Sequence, residues 1–257
     1  DSSRIGKLKS MALQSVDQLA AGDANFGILL DGTLGEEALA KAADTPYWTG
    51  RPIEQSGVLP LAFEGAADVG MELLHWPLTQ VVKCLVSYRM TDPDDLKATQ
   101  EEQLLRLYDA CRQTRHELLL EIIATRNNLP APGETPRVME HFYSLGIRPD
   151  WWKLEPISSA REWSEISEVI ERHDPWCRGV VILGLSAPME ELTRSFSVAA
   201  AFDCVKGFAV GRSVWFEAAR AWLAEEIDDV EYMKRTGERF GRLVDAWDNA
   251  RVSALQK

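Results

Sequence analysis

Asp150-Trp151-Trp152-Lys153-Leu154-Glu155-Pro156 sets a lysine among bulky apolar residues, on a segment that reads as a short buried strand. Such a strand offers a full positive charge no obvious outlet. Burial therefore drives the ammonium toward the neutral, nucleophilic amine that Schiff-base chemistry uses. The plainer alternative is a lysine at a strand end whose charge snorkels to water. The rest of the chain weighs between the two.

Working outward, the lysine strand follows a helix over Arg137 to Leu145 that closes at Gly146. Before that come a Pro- and Gly-rich surface loop from Leu129 to Pro136 and an apolar strand, Leu118 to Ile123, interrupted by Glu121. Asp94 to Thr114 has the apolar spacing of a long amphipathic helix, and Val81 to Tyr88 is a β-branched strand carrying Lys83. Nearer the start, Met11 to Ala20 reads as a helix. Gly27 to Asp31, Trp48 to Glu54 and Val58 to Glu64 read as the first three strands, with Pro52 limiting the second. After the lysine strand, Gly179 to Leu185 is a seventh strand, Glu190 to Ala201 a helix and Val205 to Val210 an eighth strand. Phe216 to Gln256 is helical and charged, with Trp222 and Trp247 available for outer packing. Eight short strands alternating with helical segments predict a single α/β domain over residues 1–257, a (β/α)8 TIM barrel. Periodicity alone also permits an open, doubly wound sheet. No internal repeat or low-complexity tract marks a second domain.

Composition narrows the function classes. Lys and Arg total 28 against 40 Asp and Glu, a net charge of −12. That field repels nucleic acid and anionic membrane, so neither is expected as a partner, and an anionic substrate must be held by a few local basic groups. Cys84, Cys111, Cys177 and Cys204 are scattered without CxxC spacing, as expected of reduced thiols in a cytoplasmic protein. His75, His116, His141 and His173 show no zinc-ligand spacing, so no metal and no cofactor is expected. No apolar run reaches membrane-spanning length, and no signal peptide is read at the start. The chain opens on Asp1 rather than Met, as expected of a trimmed product or part of a longer polypeptide.

In a barrel the C-terminal strand ends face the active site. Asp31, Lys83, Glu121, Lys153, Ser186 and Arg212 all fall there, several of them charges inside apolar strands, where a charge is costly unless paired or used. Each has a structural alternative: Asp31 as a helix cap, Lys83 with Glu121 as an ion pair across the barrel, Arg212 as a solvated turn residue. Two lysines and two carboxylates converging in one mouth nevertheless suit proton transfer around an imine. A second ammonium near Lys153 lowers its pKa, and a carboxylate relays protons.

The pieces Lys83-Cys84-Leu85-Val86-Ser87-Tyr88, Glu117-Leu118-Leu119-Leu120-Glu121, Trp152-Lys153-Leu154-Glu155-Pro156, Leu185-Ser186-Ala187 and Gly211-Arg212-Ser213-Val214-Trp215 occur in the order found in class I, Schiff-base aldolases related to tagatose-1,6-bisphosphate aldolase. The resemblance runs from about Gly27 to Trp215. It implies that Lys153 forms the Schiff base, that Glu121 is the acid/base with Lys83 and Asp31 nearby, and that Gly184, Ser186, Gly211 and Arg212 hold a phosphate. Trp48, Arg51-Pro52-Ile53-Glu54, Gly57, Trp76-Pro77 and Lys206-Gly207-Phe208-Ala209-Val210-Gly211-Arg212 are more similar still to the aldolase-like domain of bacterial inositol catabolism, found alone or fused behind a sugar-kinase domain. That implies cleavage of 2-deoxy-5-keto-D-gluconate 6-phosphate to dihydroxyacetone phosphate and malonate semialdehyde. A fused or partner kinase domain belongs to the same expectation, although this chain carries no ATP-binding kinase motif. Gly32-Thr33 after Asp31 and Arg89-Met90 after Tyr88 depart from the family pattern. Arg51 is a candidate for a substrate carboxylate, or for pairing with Glu54. Another ketose phosphate as substrate, and a non-catalytic sugar-phosphate-binding regulatory domain, remain as alternatives, and assembly into a homo-oligomer is left open.

Overall fold

The computed structural model describes residues 2–65, 68–125, 132–184 and 187–256. Helix α1 (Ser2–Ala20) leads into β1 (Gly27–Leu29), α2 (Glu36–Ala42) and β2 (Trp48–Pro52). There follow α3 (Val69–Leu73), β3 (Gln80–Ser87), α4 (Asp94–Thr114), β4 (Leu118–Ile123) and α5 (Glu134–Ser144). Then come β5 (Trp151–Leu154), α6 (Ala160–His173), β6 (Gly179–Leu183), α7 (Met189–Ala199) and β7 (Val205–Ala209). The chain closes with α8 (Arg212–Leu223) and α9 (Asp229–Leu255). Among the described residues none of these helices is long and apolar enough to cross a membrane.

Among the described residues seven strands pair in sequence order, every neighbour parallel. Trp48 on β2 and Trp151 on β5 meet edge to face with ring centroids 6.2 Å apart. Contact between side chains three strands apart requires a sheet rolled around its own interior, and with a helix after most strands this is a TIM barrel of the (β/α)8 class.

One expected strand is absent. Val58 to Glu64 does not join the parallel sheet but folds back on the end of β2, with a single antiparallel bridge between Glu54 and Phe63. The Gln55 N–H donates to the Ala62 carbonyl and the Glu64 N–H to the Ile53 carbonyl. Gly57, at φ +76°, supplies the left-handed turn that this reversal needs. The apolar pattern misled because Val58 and Leu59 are exposed and Pro60 has no N–H to donate to a ladder. The expected loop of Leu129 to Pro136 also ends early, because α5 begins at Glu134; its residues 129–131 lie outside the described residues.

Alternation along the strands divides the side chains cleanly. The register Lys83↔Leu119, Leu85↔Glu121 and Glu121↔Lys153 places these residues on one face, with Trp151. The opposite residues, among them Val82, Cys84, Leu118, Leu120, Trp152, Leu154, Val180 and Ile182, build the main core between sheet and helices. So the quoted strand has two faces: Trp151 and Lys153 look into the barrel, and Trp152 and Leu154 outward. Trp152 is fully buried and donates from Nε1 to the Tyr143 hydroxyl of α5 at 2.9 Å, their rings 5.5 Å apart. That contact locks the back of the lysine strand to a helix.

Candidate active site

Lys83, Glu121 and Lys153 come from three consecutive strands and meet inside the barrel. The Glu121 Oε2 accepts from the Lys83 Nζ at 2.8 Å and from the Lys153 Nζ at 3.2 Å. A fourth member was not singled out from the sequence: the Glu54 Oε1 lies 2.5 Å from the Lys83 Nζ. Exposures of 8% for each lysine, 4% for Glu121 and 9% for Glu54 make this a buried chain of alternating charge, Glu54–Lys83–Glu121–Lys153. Beneath it Trp151 and Trp48 fill the interior, Trp151 held by a 3.0 Å bond from its Nε1 to Glu117.

Each charge is shaped by burial and by its neighbours. Burial lowers the Lys153 pKa and Lys83 adds to the lowering, outweighing the attraction of Glu121. For Lys83, burial also opposes the charge, but Glu121 and Glu54 together override it, and its pKa is raised. Glu121 resists burial because Lys153 and Lys83 both favour its carboxylate, and its pKa is lowered. Glu54, with one lysine only, is pushed upward by burial despite Lys83. The two lysines thus differ: one is held as an ammonium and the other is tilted toward the free amine.

The remaining sequence candidates are placed as follows. Asp31 pairs with Lys9 of α1, and its Oδ1 accepts from the Leu34 N–H at 2.7 Å, which caps the turn into α2. Neither bond is to the lysine chain. Arg51 lies on the other side of β2 from Pro52, with its guanidinium 3.9 Å from the Trp76 ring centroid. It passes so close over Gly32 that any side chain there would collide with it. Glu54, its expected alternative partner, is taken by Lys83 instead.

Gly184 follows β6, and a methyl group on it would lie 3.1 Å from the Ser213 Oγ in the first turn of α8. That Oγ is buried and has no hydrogen-bond partner among the described residues. Gly211 caps the same helix end, and Arg212, its first residue, is exposed. Gly184, Gly211 and Arg212 therefore lie together around the N-terminal end of α8. Ser186 lies outside the described residues.

Glu155, two residues beyond Lys153, was also passed over. It is buried, and its Oε2 accepts from the Ala124 and Thr125 N–H groups at 2.8 and 3.1 Å, tying the loop after β4 to the end of β5. Two signals could have found these carboxylates: Glu54 ends a strand as Asp31 does, and Glu155 repeats the inward spacing of Lys153. All four cysteines are free, and among the described residues no group of three His, Cys, Asp or Glu side chains is arranged to hold a metal ion.

Solved structures share the architecture. Fructose-bisphosphate aldolase from Plasmodium falciparum superposes with a TM-score of 0.64 at 15% identity, covering 96% of this chain and 86% of its own. The YdjI aldolase from Escherichia coli K12 gives 0.54 at 12% identity, covering 93% and 86%, and fructose-bisphosphate aldolase from Slackia heliotrinireducens 0.52 at 12%, covering 93% and 77%. At such identities the likeness is one of fold. No curated protein matches the sequence. The family model described as "Uncharacterized protein conserved in bacteria (DUF2090)" matches residues 1–251, and the chain belongs to that family.

Proposed function

We propose that this protein is a Schiff-base aldolase that cleaves a phosphorylated keto-sugar acid, with Lys153 as the amine. The observation that carries the reading is the unequal treatment of two buried lysines around one carboxylate. Lys153 has only a share of Glu121 and is tilted toward the neutral form that can attack a ketone.

In this reading the Lys153 Nζ adds to the substrate carbonyl and the carbinolamine loses water to give an iminium. Removal of the proton from the hydroxyl beyond the adjacent bond lets the carbon–carbon bond break. The electron pair passes into the iminium as an enamine, an aldehyde leaves, and protonation and hydrolysis return the amine. Glu121, within reach of the Lys153 Nζ, carries the proton steps, and Lys83 keeps positive charge beside the reacting nitrogen throughout. Gly184, Gly211, the α8 N-terminus and Arg212 hold the phosphate, with Ser186 as the sequence resemblance implies.

For the substrate we take 2-deoxy-5-keto-D-gluconate 6-phosphate, yielding dihydroxyacetone phosphate and malonate semialdehyde. The support is the similarity around Arg51 to Gly57, Trp76-Pro77 and Lys206 to Arg212. The test is reduction with borohydride in the presence of dihydroxyacetone phosphate, followed by peptide mass spectrometry. An adduct on Lys153 is expected. Labelling confined to other lysines, or full turnover by Lys153→Ala, would overturn the assignment.

A further inference from the structure

The chain of four buried charges is asymmetric. Lys83 lies between two carboxylates, Glu54 at 2.5 Å and Glu121 at 2.8 Å, whereas Lys153, among the described residues, bonds to Glu121 alone, at 3.2 Å, through an oxygen it shares with Lys83. Without Glu54 the two ammonium groups would be near equivalents: equally buried, both pointing inward from the strands that flank β4, competing for one oxygen. We propose that Glu54 is a positioning residue that selects between the two lysines, holding Lys83 as the charged member and leaving Lys153 as the amine that adds to the carbonyl.

The backbone around Glu54 is built to hold it there. The Ile53 N–H donates to the Lys83 carbonyl at 2.9 Å, which fixes the end of β2 against β3. The segment returning through Gly57 brackets Glu54 on its other side through the bridge to Phe63 and the bond from the Glu64 N–H to the Ile53 carbonyl. The second oxygen of Glu54, Oε2, is buried and has no hydrogen-bond partner among the described residues, so Lys83 is the one cation the carboxylate is seen to hold there. The titratable groups that act on the two lysines are Glu54 and Glu121, with Lys83 acting on Lys153 as well; Cys84, on the outward side of β3, has its thiol pushed well up by burial. The segment that failed to become a strand is thereby given a task, since it clamps the residue that distinguishes the lysines.

The chemical meaning of this selection rests on the imine reading, but the test does not need it. Trace labelling with acetic anhydride across a range of pH, read lysine by lysine by mass spectrometry, reports the protonation of Lys83 and Lys153 directly. In the wild-type protein Lys153 should label at lower pH than Lys83. In Glu54→Gln, which keeps the size and loses the charge, the Lys83 profile should move down toward that of Lys153, with at least a tenfold gain in Lys83 labelling at a fixed pH between the two. Glu54→Asp should restore part of the separation. Borohydride trapping with dihydroxyacetone phosphate should then divide between both lysines in Glu54→Gln while staying on Lys153 in the wild type. An unmoved Lys83 profile in Glu54→Gln overturns the proposal. A shifted profile without any trapped adduct in the wild type leaves the selection standing and removes the aldolase reading instead.

Discussion

The Lys153 Nζ stands 3.2 Å from the Glu121 Oε2, across the β4–β5 pairing that sets the two residues opposite one another. At that distance a carboxylate ordinarily holds a lysine charged. Here burial, helped by the neighbouring Lys83 ammonium, outweighs that attraction and lowers the Lys153 pKa, while the same oxygen also serves Lys83.

A pH dependence follows. Imine formation needs the neutral amine, so the rate of borohydride trapping should rise with pH through a midpoint below the ordinary lysine value of about 10.4. Lys83→Met removes the neighbouring positive charge and leaves Glu121 to Lys153 alone, so it should move that midpoint upward. A wild-type midpoint at the ordinary value would contradict the role given to burial.

The lysines should also differ in what they do for stability. The Lys83 pKa is raised in the folded protein, so its contribution is present below the ordinary lysine value and is lost as pH rises through the raised one. The Lys153 pKa is lowered, so the unfolded chain binds that proton more tightly and stability grows as pH rises from the lowered value to the ordinary one. Lys83→Met strands the buried Glu54 carboxylate, leaves Glu121 with Lys153 alone, and should destabilise by about 3–5 kcal/mol, the cost of breaking a buried ion pair. Lys153→Met should leave stability unchanged or higher near neutral pH while abolishing turnover. Urea titrations of both variants decide it, and equal losses would refute the contrast.

Glu121→Gln keeps the size of the side chain but cannot take a proton. With substrate supplied, kcat should fall by about 10²–10⁴, the usual contribution of general acid–base catalysis, with KM little changed. A change confined to KM would make Glu121 a binding residue and pass the proton steps to another group in the mouth.

Arg212 is exposed at the start of α8, beside Gly211 and near Gly184. If it closes on a phosphate, Arg212→Ala should raise KM for the phosphorylated substrate by about tenfold to a hundredfold, the worth of a hydrogen bond to a charged group. Slow cleavage of the dephosphorylated analogue should be unaffected. Equal effects on both substrates, or none on either, would place the phosphate elsewhere.

Behind the site, Tyr143→Phe leaves the Trp152 Nε1 without its acceptor in a fully buried position. A loss of about 1–3 kcal/mol is expected from thermal or urea unfolding, since a buried donor is stranded. No loss would show that the Trp152 ring alone, and not its hydrogen bond, secures the lysine strand.

Several features could be read from the sequence alone. The apolar runs with one charge inside, Lys83 in β3, Glu121 in β4 and Lys153 in β5, marked strands and chemistry together, because a charge in such a run must be paired or used. The alternation of strands and helices marked the barrel, and Asp94–Thr114 has the bounds its apolar spacing implied. What local pattern could not decide was partnership. Arg51 and Glu54 stand three residues apart, and their pairing is one of the two readings of Arg51 that the sequence allows. The β2–β3 register instead gives Glu54 to Lys83, 29 residues away, and the strand's alternation sends Arg51 to the Trp76 ring. Val58 to Glu64 had the composition of a strand, but a turn at Gly57 and the missing donor of Pro60 returned it antiparallel onto β2. Residue types and spacing set which charges are too costly to leave unused; only the folded sheet, through register and curvature, decided which carboxylate met which lysine, because those contacts join segments far apart in the chain.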